Sequence, residues 1–125
     1  MGTGTILIVD DDLGVLSTLS EILEMEGYSA VAQAANGLEG LEKYKELQPD
    51  VVLMDMDMPV MDGYESSREI KAFDPEANIL VLTGNPHTIL AKKTLEEGYA
   101  ATLLKKPVKW SELGRIIRTH CTIAA

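Results

Sequence analysis

Short apolar runs alternate with longer stretches whose apolar residues recur at helical spacing, and the alternation continues almost to the end of the chain. Thr5 to Val9 is a run of strand length, and it leads into Leu13 to Met25, where Leu16, Leu19, Ile22 and Leu23 share one helical face. Gly27 supplies a stop, Ser29 to Ala34 reads as a second strand, and Leu38, Leu41 and Tyr44 mark a second amphipathic helix ended near Pro49. Val51 to Met54 is a third strand, and the helix after Gly63 carries Ile70 and Phe73 up to the Asp74-Pro75 break. Ile79 to Leu82 is a fourth strand, followed by a helix over Thr88 to Glu97 that stops at Gly98. Ala101 to Leu104 makes the fifth strand, and Glu112 to Thr119, with Leu113, Ile116 and Ile117 on one side, makes the last helix.

Strands that are apolar on both faces and alternate with amphipathic helices call for a parallel sheet covered on both sides. Each crossover helix must bury its stripe against that sheet. The expectation is a doubly wound α/β fold with five strands and five helices. No linker, repeat or low-complexity tract divides the chain, so residues 1–125 are expected to form a single domain, a size at which a core is readily built.

Composition narrows the function. Hydrophobic residues at 46% and charged residues at 25% fit an ordinary globular core and exclude a disordered chain. Eleven Lys plus Arg against 20 Asp plus Glu leave a net charge of -9, which repels nucleic-acid phosphates and anionic lipid, so neither is an expected partner. The lone Cys121 has no partner for an internal disulfide, and no Cys or His spacing builds a zinc site. Apolar runs such as Ile6 to Val9 fall far short of the ~18 residues of a membrane-spanning helix. There is no signal-peptide pattern either, so a cytoplasmic location is expected.

In open parallel sheets, ligands sit beyond the carboxyl ends of the strands where strand order reverses. Strand one runs into Asp10, Asp11 and Asp12, strand three into Asp55 and Asp57, strand four into Thr83, and strand five into Lys105 and Lys106. Singly, each has a plain structural reading: a solvated turn or helix cap for the acids, which suffices for Asp12, a capping hydroxyl for Thr83, a surface charge for Lys106. Together at one edge they form a chemical set. Converging carboxylates raise one another's pKa unless a cation sits among them. Oxygen ligands suit Mg²⁺ (or Mn²⁺), which bridges carboxylates to phosphate, and a lysine adds a second positive charge. A carboxylate, a metal, an ammonium and a hydroxyl are what transfer of a phosphoryl group onto an aspartate needs.

These residues resemble the response-regulator receivers, a family of chemotaxis-regulator-like, flavodoxin-like domains, over nearly the whole chain. The resemblance is carried by Ile6-Leu7-Ile8-Val9-Asp10-Asp11-Asp12, by Ala35-Asn36-Gly37-Leu38-Glu39-Gly40-Leu41, and by the segment from Pro49 through Asp55-Met56-Asp57-Met58-Pro59 to Asp62-Gly63. Val81-Leu82-Thr83-Gly84 and Lys106-Pro107 complete it. It implies strand order 2-1-3-4-5, Asp55 as phospho-acceptor, Asp11 as a direct metal ligand, Asp10 as a supporting carboxylate and the main-chain carbonyl of Asp57 as a further ligand. It also implies that Thr83 and Lys106 engage the phosphoryl group and that the Lys106-Pro107 bond is cis. The implied function is two-component or phosphorelay signalling: phosphoryl transfer from a sensor histidine kinase or histidine phosphotransfer protein onto Asp55, with a change on the helix 4, strand 5, helix 5 face that an output partner reads. Such a domain acts as a switch and catalyses only its own phosphorylation and dephosphorylation.

Three departures from the family pattern stand out. Gly84 follows Thr83 where a small residue, often Ala, is usual. Leu103 stands three before Lys106, where an aromatic residue commonly reports the switch. The stretch from Gly98 to Lys106 is one residue longer than usual, which makes Lys105 a second claimant to the ammonium role, although the following proline favours Lys106.

Two other classes fit part of the pattern. Asp55-Met56-Asp57 looks like the Asp-x-Asp of haloacid-dehalogenase-type phosphatases, but their acidic metal pair comes late in the chain, whereas Asp10 and Asp11 come early. A receiver-like module that has lost phosphorylation is opposed by the complete set of five side chains. Tyr28, Tyr44, Tyr64, Phe73 and Trp110 read as packing residues, the methionines around Asp55 likewise, and His87 and His120 as surface residues. A chain that begins at Met1 and ends shortly after a fifth helix is expected to be a standalone regulator.

Overall fold

The computed structural model of the chain describes residues 4–28 and 30–120, apart from the side chains of Ala30, Trp110 and His120. Ser29, the expected first residue of the second strand, and Cys121 lie outside the described residues, as do the side chains of Trp110 and His120.

Ten elements alternate without exception. They are β1 (Thr5–Val9), α1 (Leu13–Met25), β2 (Ala30–Ala34), α2 (Gly37–Leu47), β3 (Val51–Asp55), α3 (Gly63–Phe73), β4 (Ile79–Thr83), α4 (Ile89–Glu96), β5 (Thr102–Lys105) and α5 (Trp110–His120). The five strands form one parallel sheet in the order β2-β1-β3-β4-β5. The order therefore reverses between β1 and β3, and the crevice at their carboxyl ends is the ligand position of such sheets.

Side-chain alternation along each strand sends every second residue to the opposite face. Ile6 and Ile8 of β1, Val51 and Leu53 of β3, and Leu80 and Leu82 of β4 pack with Leu16, Leu19 and Leu23 of α1 and Leu113 and Ile117 of α5. Leu7 and Val9, Val52 and Met54, and Ile79 and Val81 pack on the other face with Leu41 and Tyr44 of α2, Ile70 of α3 and Ala91 of α4. Burial on both faces is why the strands read as continuous apolar runs.

The helices begin where short polar side chains accept main-chain N–H groups left free by the first turn. Asp12 caps α1, Asn36 caps α2, Asp62 caps α3 and Thr88 caps α4. One expected stripe is corrected. Leu38 is 40% exposed, and the inward face of α2 is instead Gly37, Gly40, Leu41 and Tyr44. The reason is close approach: a Cβ on Gly40 would stand 2.9 Å from a methyl of Val9, so the helix lies almost directly on β1 and turns Leu38 outward. Strand β5 also starts one residue later than expected and runs through Lys105, while α5 starts two residues earlier, at Trp110. Among the described residues, no helix is long and apolar enough to cross a membrane.

Candidate functional site

Asp10 follows directly on β1, and its N–H donates to Ala34 O at 3.0 Å, which ties it to β2. It is only 2% exposed. Its Oδ1 accepts from Asp12 N at 2.9 Å and its Oδ2 from Lys106 Nζ at 2.9 Å. Asp12 spends its own carboxylate on Gly14 N, at 2.9 Å, and Val15 N, at 3.3 Å, which makes it the helix cap the sequence suggested. Asp11 stands exposed between them.

Asp55 is the last residue of β3 and is buried, 7% exposed. Its Oδ1 accepts from Lys106 Nζ at 2.8 Å. Two close approaches hold the loop that follows. Gly63 N donates to Met56 O at 2.9 Å, and a Cβ on Gly63 would collide with the main-chain oxygen of Asp55. Gly37 N donates to Met61 O at 3.0 Å, and a Cβ there would collide with that same Met61 oxygen. Between them Val60 takes φ 71, and Met61 N reaches back to Pro59 O at 2.7 Å, the hydrogen bond of a γ-turn.

Lys106 comes immediately after β5, and its N–H donates to Thr83 O at 2.8 Å, which fixes it to the end of β4. From there its side chain crosses the end of β4 to reach both Asp55 and Asp10. The Lys106-Pro107 peptide is cis, as the resemblance implied. Lys105, by contrast, is exposed and ends β5, while the ammonium paired with Asp55 and Asp10 is that of Lys106. Thr83 is 1% exposed, and its hydroxyl is engaged locally, donating to Asn85 O at 3.3 Å and accepting from Asn85 N at 3.2 Å.

Carboxylate oxygens of Asp10, Asp11 and Asp55 all lie within 4.8 Å of one another. Burial, and then the neighbouring Asp10 and Asp11, push the Asp55 carboxyl above the usual aspartate value, and the Lys106 hydrogen bond only partly offsets this. Burial would lower Lys106, but its bonds to Asp55 and Asp10 outweigh that and hold it above the ordinary lysine value. The ammonium is therefore fully charged at neutral pH. One ammonium among three carboxylates leaves the site with excess negative charge and hard oxygen donors, which is the chemistry that fits Mg²⁺.

Of the residues singled out from the sequence, Asp10, Asp11, Asp55 and Lys106 are brought together, and Thr83 stands beside them at the end of β4. The Asp57 side chain is exposed and outside the carboxylate cluster, although the expectation for Asp57 concerned its main-chain carbonyl, in the loop two residues past Asp55. Sequence reasoning missed the bracing by Gly37 and Gly63. The signal was present, because Asn36-Gly37 and Asp62-Gly63 each pair a capping residue with a glycine at the first helical position.

The family model for the response regulator receiver domain matches residues 6–118. The chain is 37% identical to the chemotaxis protein CheY of Thermotoga maritima over 108 residues, 86% of this chain and 89% of that one. It is 35% identical to the sporulation initiation phosphotransferase F of Bacillus subtilis over 115 residues, 92% of this chain and 91% of that one. Among solved structures, the response regulator TrrA of Thermotoga maritima in complex with Mg²⁺ and beryllofluoride superposes with a TM-score of 0.84 at 30% identity, covering 94% of this chain and 99% of that one. The chain belongs to the response regulator receiver family. It is a signalling domain of two-component systems, and accepting a phosphoryl group is its function.

Proposed function

We propose that Asp55 is the residue that takes the phosphoryl group, donated by a sensor histidine kinase or a histidine phosphotransfer protein. The observation that carries this is the Lys106 ammonium, held between Asp55 and Asp10 at the switch point of the sheet. An ionised carboxylate is already a nucleophile, so no general base is needed. The Asp55 oxygen attacks phosphorus as the bond to the donor nitrogen breaks. Lys106 stays paired with the acceptor and meets the charge that develops on the equatorial oxygens. Thr83 exchanges its bonds with Asn85 for a bond to the new phosphoryl group. That exchange draws in the loop leading to α4, and the α4, β5, α5 face then presents a changed surface to an output partner.

Asp11, Asp10 and Asp55, with the main-chain carbonyl of Asp57, would hold Mg²⁺ or Mn²⁺. Bound there, the metal neutralises the carboxylates and the incoming phosphate. The same reading takes residues 1–125 as one cytoplasmic receiver domain that catalyses only its own phosphorylation and dephosphorylation. Incubation with acetyl phosphate and Mg²⁺, followed by intact-mass measurement, tests it. The gain of one phosphoryl group, lost when the metal is chelated, is expected. No gain with metal present, or an unchanged gain in chelator, contradicts the reading.

A further inference from the structure

Helix α4 is lightly held: it buries only Ala91 and Thr94, where α1, α2 and α3 each bury four residues. Its first turn follows the Thr83 to Asn85 loop, and Ile89 at its start is 83% exposed. Its far end is fastened by α3. Tyr64 Oη donates to Glu97 Oε1 at 2.6 Å, Lys93 Nζ lies 3.9 Å from Glu97 Oε2, and the Lys93 ammonium sits 5.2 Å from the centre of the Tyr64 ring. Tyr99, in the loop after α4, meets the same ring edge-on at 5.8 Å. Tyr64 directly follows Gly63, which is packed against the main chain of Asp55, so the fastening point is fixed with respect to the acceptor strand.

We propose that Tyr64 is a positioning residue of the phosphorylation response: its hydroxyl pins the Glu97 end of α4, so the loop from Thr83 turns the helix about that end instead of sliding it bodily. The proposal rests on the acceptor site proposed above. A helix of eight residues is a rigid rod of about 12 Å. With one end held, a displacement imposed at Ile89 shrinks toward Glu97. The aromatic device of this chain then lies at Tyr64 and Tyr99, between α3 and α4, while position 103 carries only leucine.

Tyr64→Phe removes the hydroxyl and keeps the ring contacts, and Glu97→Gln keeps an acceptor oxygen. In the unmodified protein, amide hydrogen exchange over Glu96 to Tyr99 is expected to quicken by about threefold or more in Tyr64→Phe, with the sheet amides unchanged. With Mg²⁺ and beryllofluoride, wild-type amide shift changes should be largest over Gly84 to Leu90 and fade toward Glu97. In Tyr64→Phe they should extend through Tyr99, and Glu97→Gln should follow wild type. Identical exchange and identical shift maps in wild type and Tyr64→Phe overturn the pivot. A wild-type protein indifferent to beryllofluoride contradicts the acceptor site, while the exchange comparison still decides whether the pin exists.

Discussion

Lys106 Nζ lies 2.8 Å from Asp55 Oδ1, and this ion pair bridges the sheet from the end of β5, past β4, to the end of β3. The same nitrogen lies 2.9 Å from Asp10 Oδ2 at the end of β1. One ammonium therefore ties together the outer strand and the two strands at the switch point, and it is the only side-chain cation paired with these carboxylates among the described residues.

Removing that charge should be costly. Lys106→Met leaves the mutually repelling carboxylates of Asp10 and Asp55 with no cation and is expected to destabilise the fold by about 2 kcal/mol, with phosphoryl uptake slowed as well. Lys105→Met should change neither. Urea melts and acetyl phosphate labelling of the two variants check this, and equal effects at the two positions would return the ammonium role to open question.

The raised Asp55 carboxyl has a definite sign. Folding favours its protonated form, so its contribution to stability is fully present below the unfolded value, near 3.9, and is lost as pH rises through the higher folded value. Asp55→Asn should accordingly stabilise the fold at neutral pH, which urea melts of the variant and wild type check. Carbon-13 titration of the Asp55 carboxyl should give a midpoint above the ordinary aspartate range without metal and a lower one with Mg²⁺. A midpoint at or below the ordinary range without metal would contradict the account of the site's charge.

Two glycines should behave oppositely. At Gly63 a Cβ has no space against the Asp55 main chain, so Gly63→Ala is expected to cost about 2 kcal/mol and to impair labelling by displacing the acceptor. At Gly84 a Cβ would meet nothing within 4 Å, so Gly84→Ala should keep both stability and labelling. Thermal melts and labelling of the pair separate the two cases.

Most of the fold was legible because β1, β3 and β4 are buried along their length and α1 to α4 each begin at a short polar cap, and both features are local in sequence. The acidic and basic residues of the site were legible because each ends a strand or follows one within two residues, so their convergence follows from a parallel sheet. What escaped depends on distances between elements. Leu38 reads as an inward residue until α2 is seen lying on Val9 through Gly40. The γ-turn that places Val60 at φ 71 needs Gly37 and Met61 to meet across 24 positions of sequence, which no periodicity records.

The central claim is that Asp55 is the acceptor, and the most direct measurement is stoichiometric labelling with acetyl phosphate and Mg²⁺ in wild type and Asp55→Asn, followed by peptide mapping. The account predicts one phosphoryl group per chain, located on the peptide containing Asp55, and none on Asp55→Asn, because an amide is no nucleophile. Full labelling of Asp55→Asn at the residue that wild type also labels would contradict it.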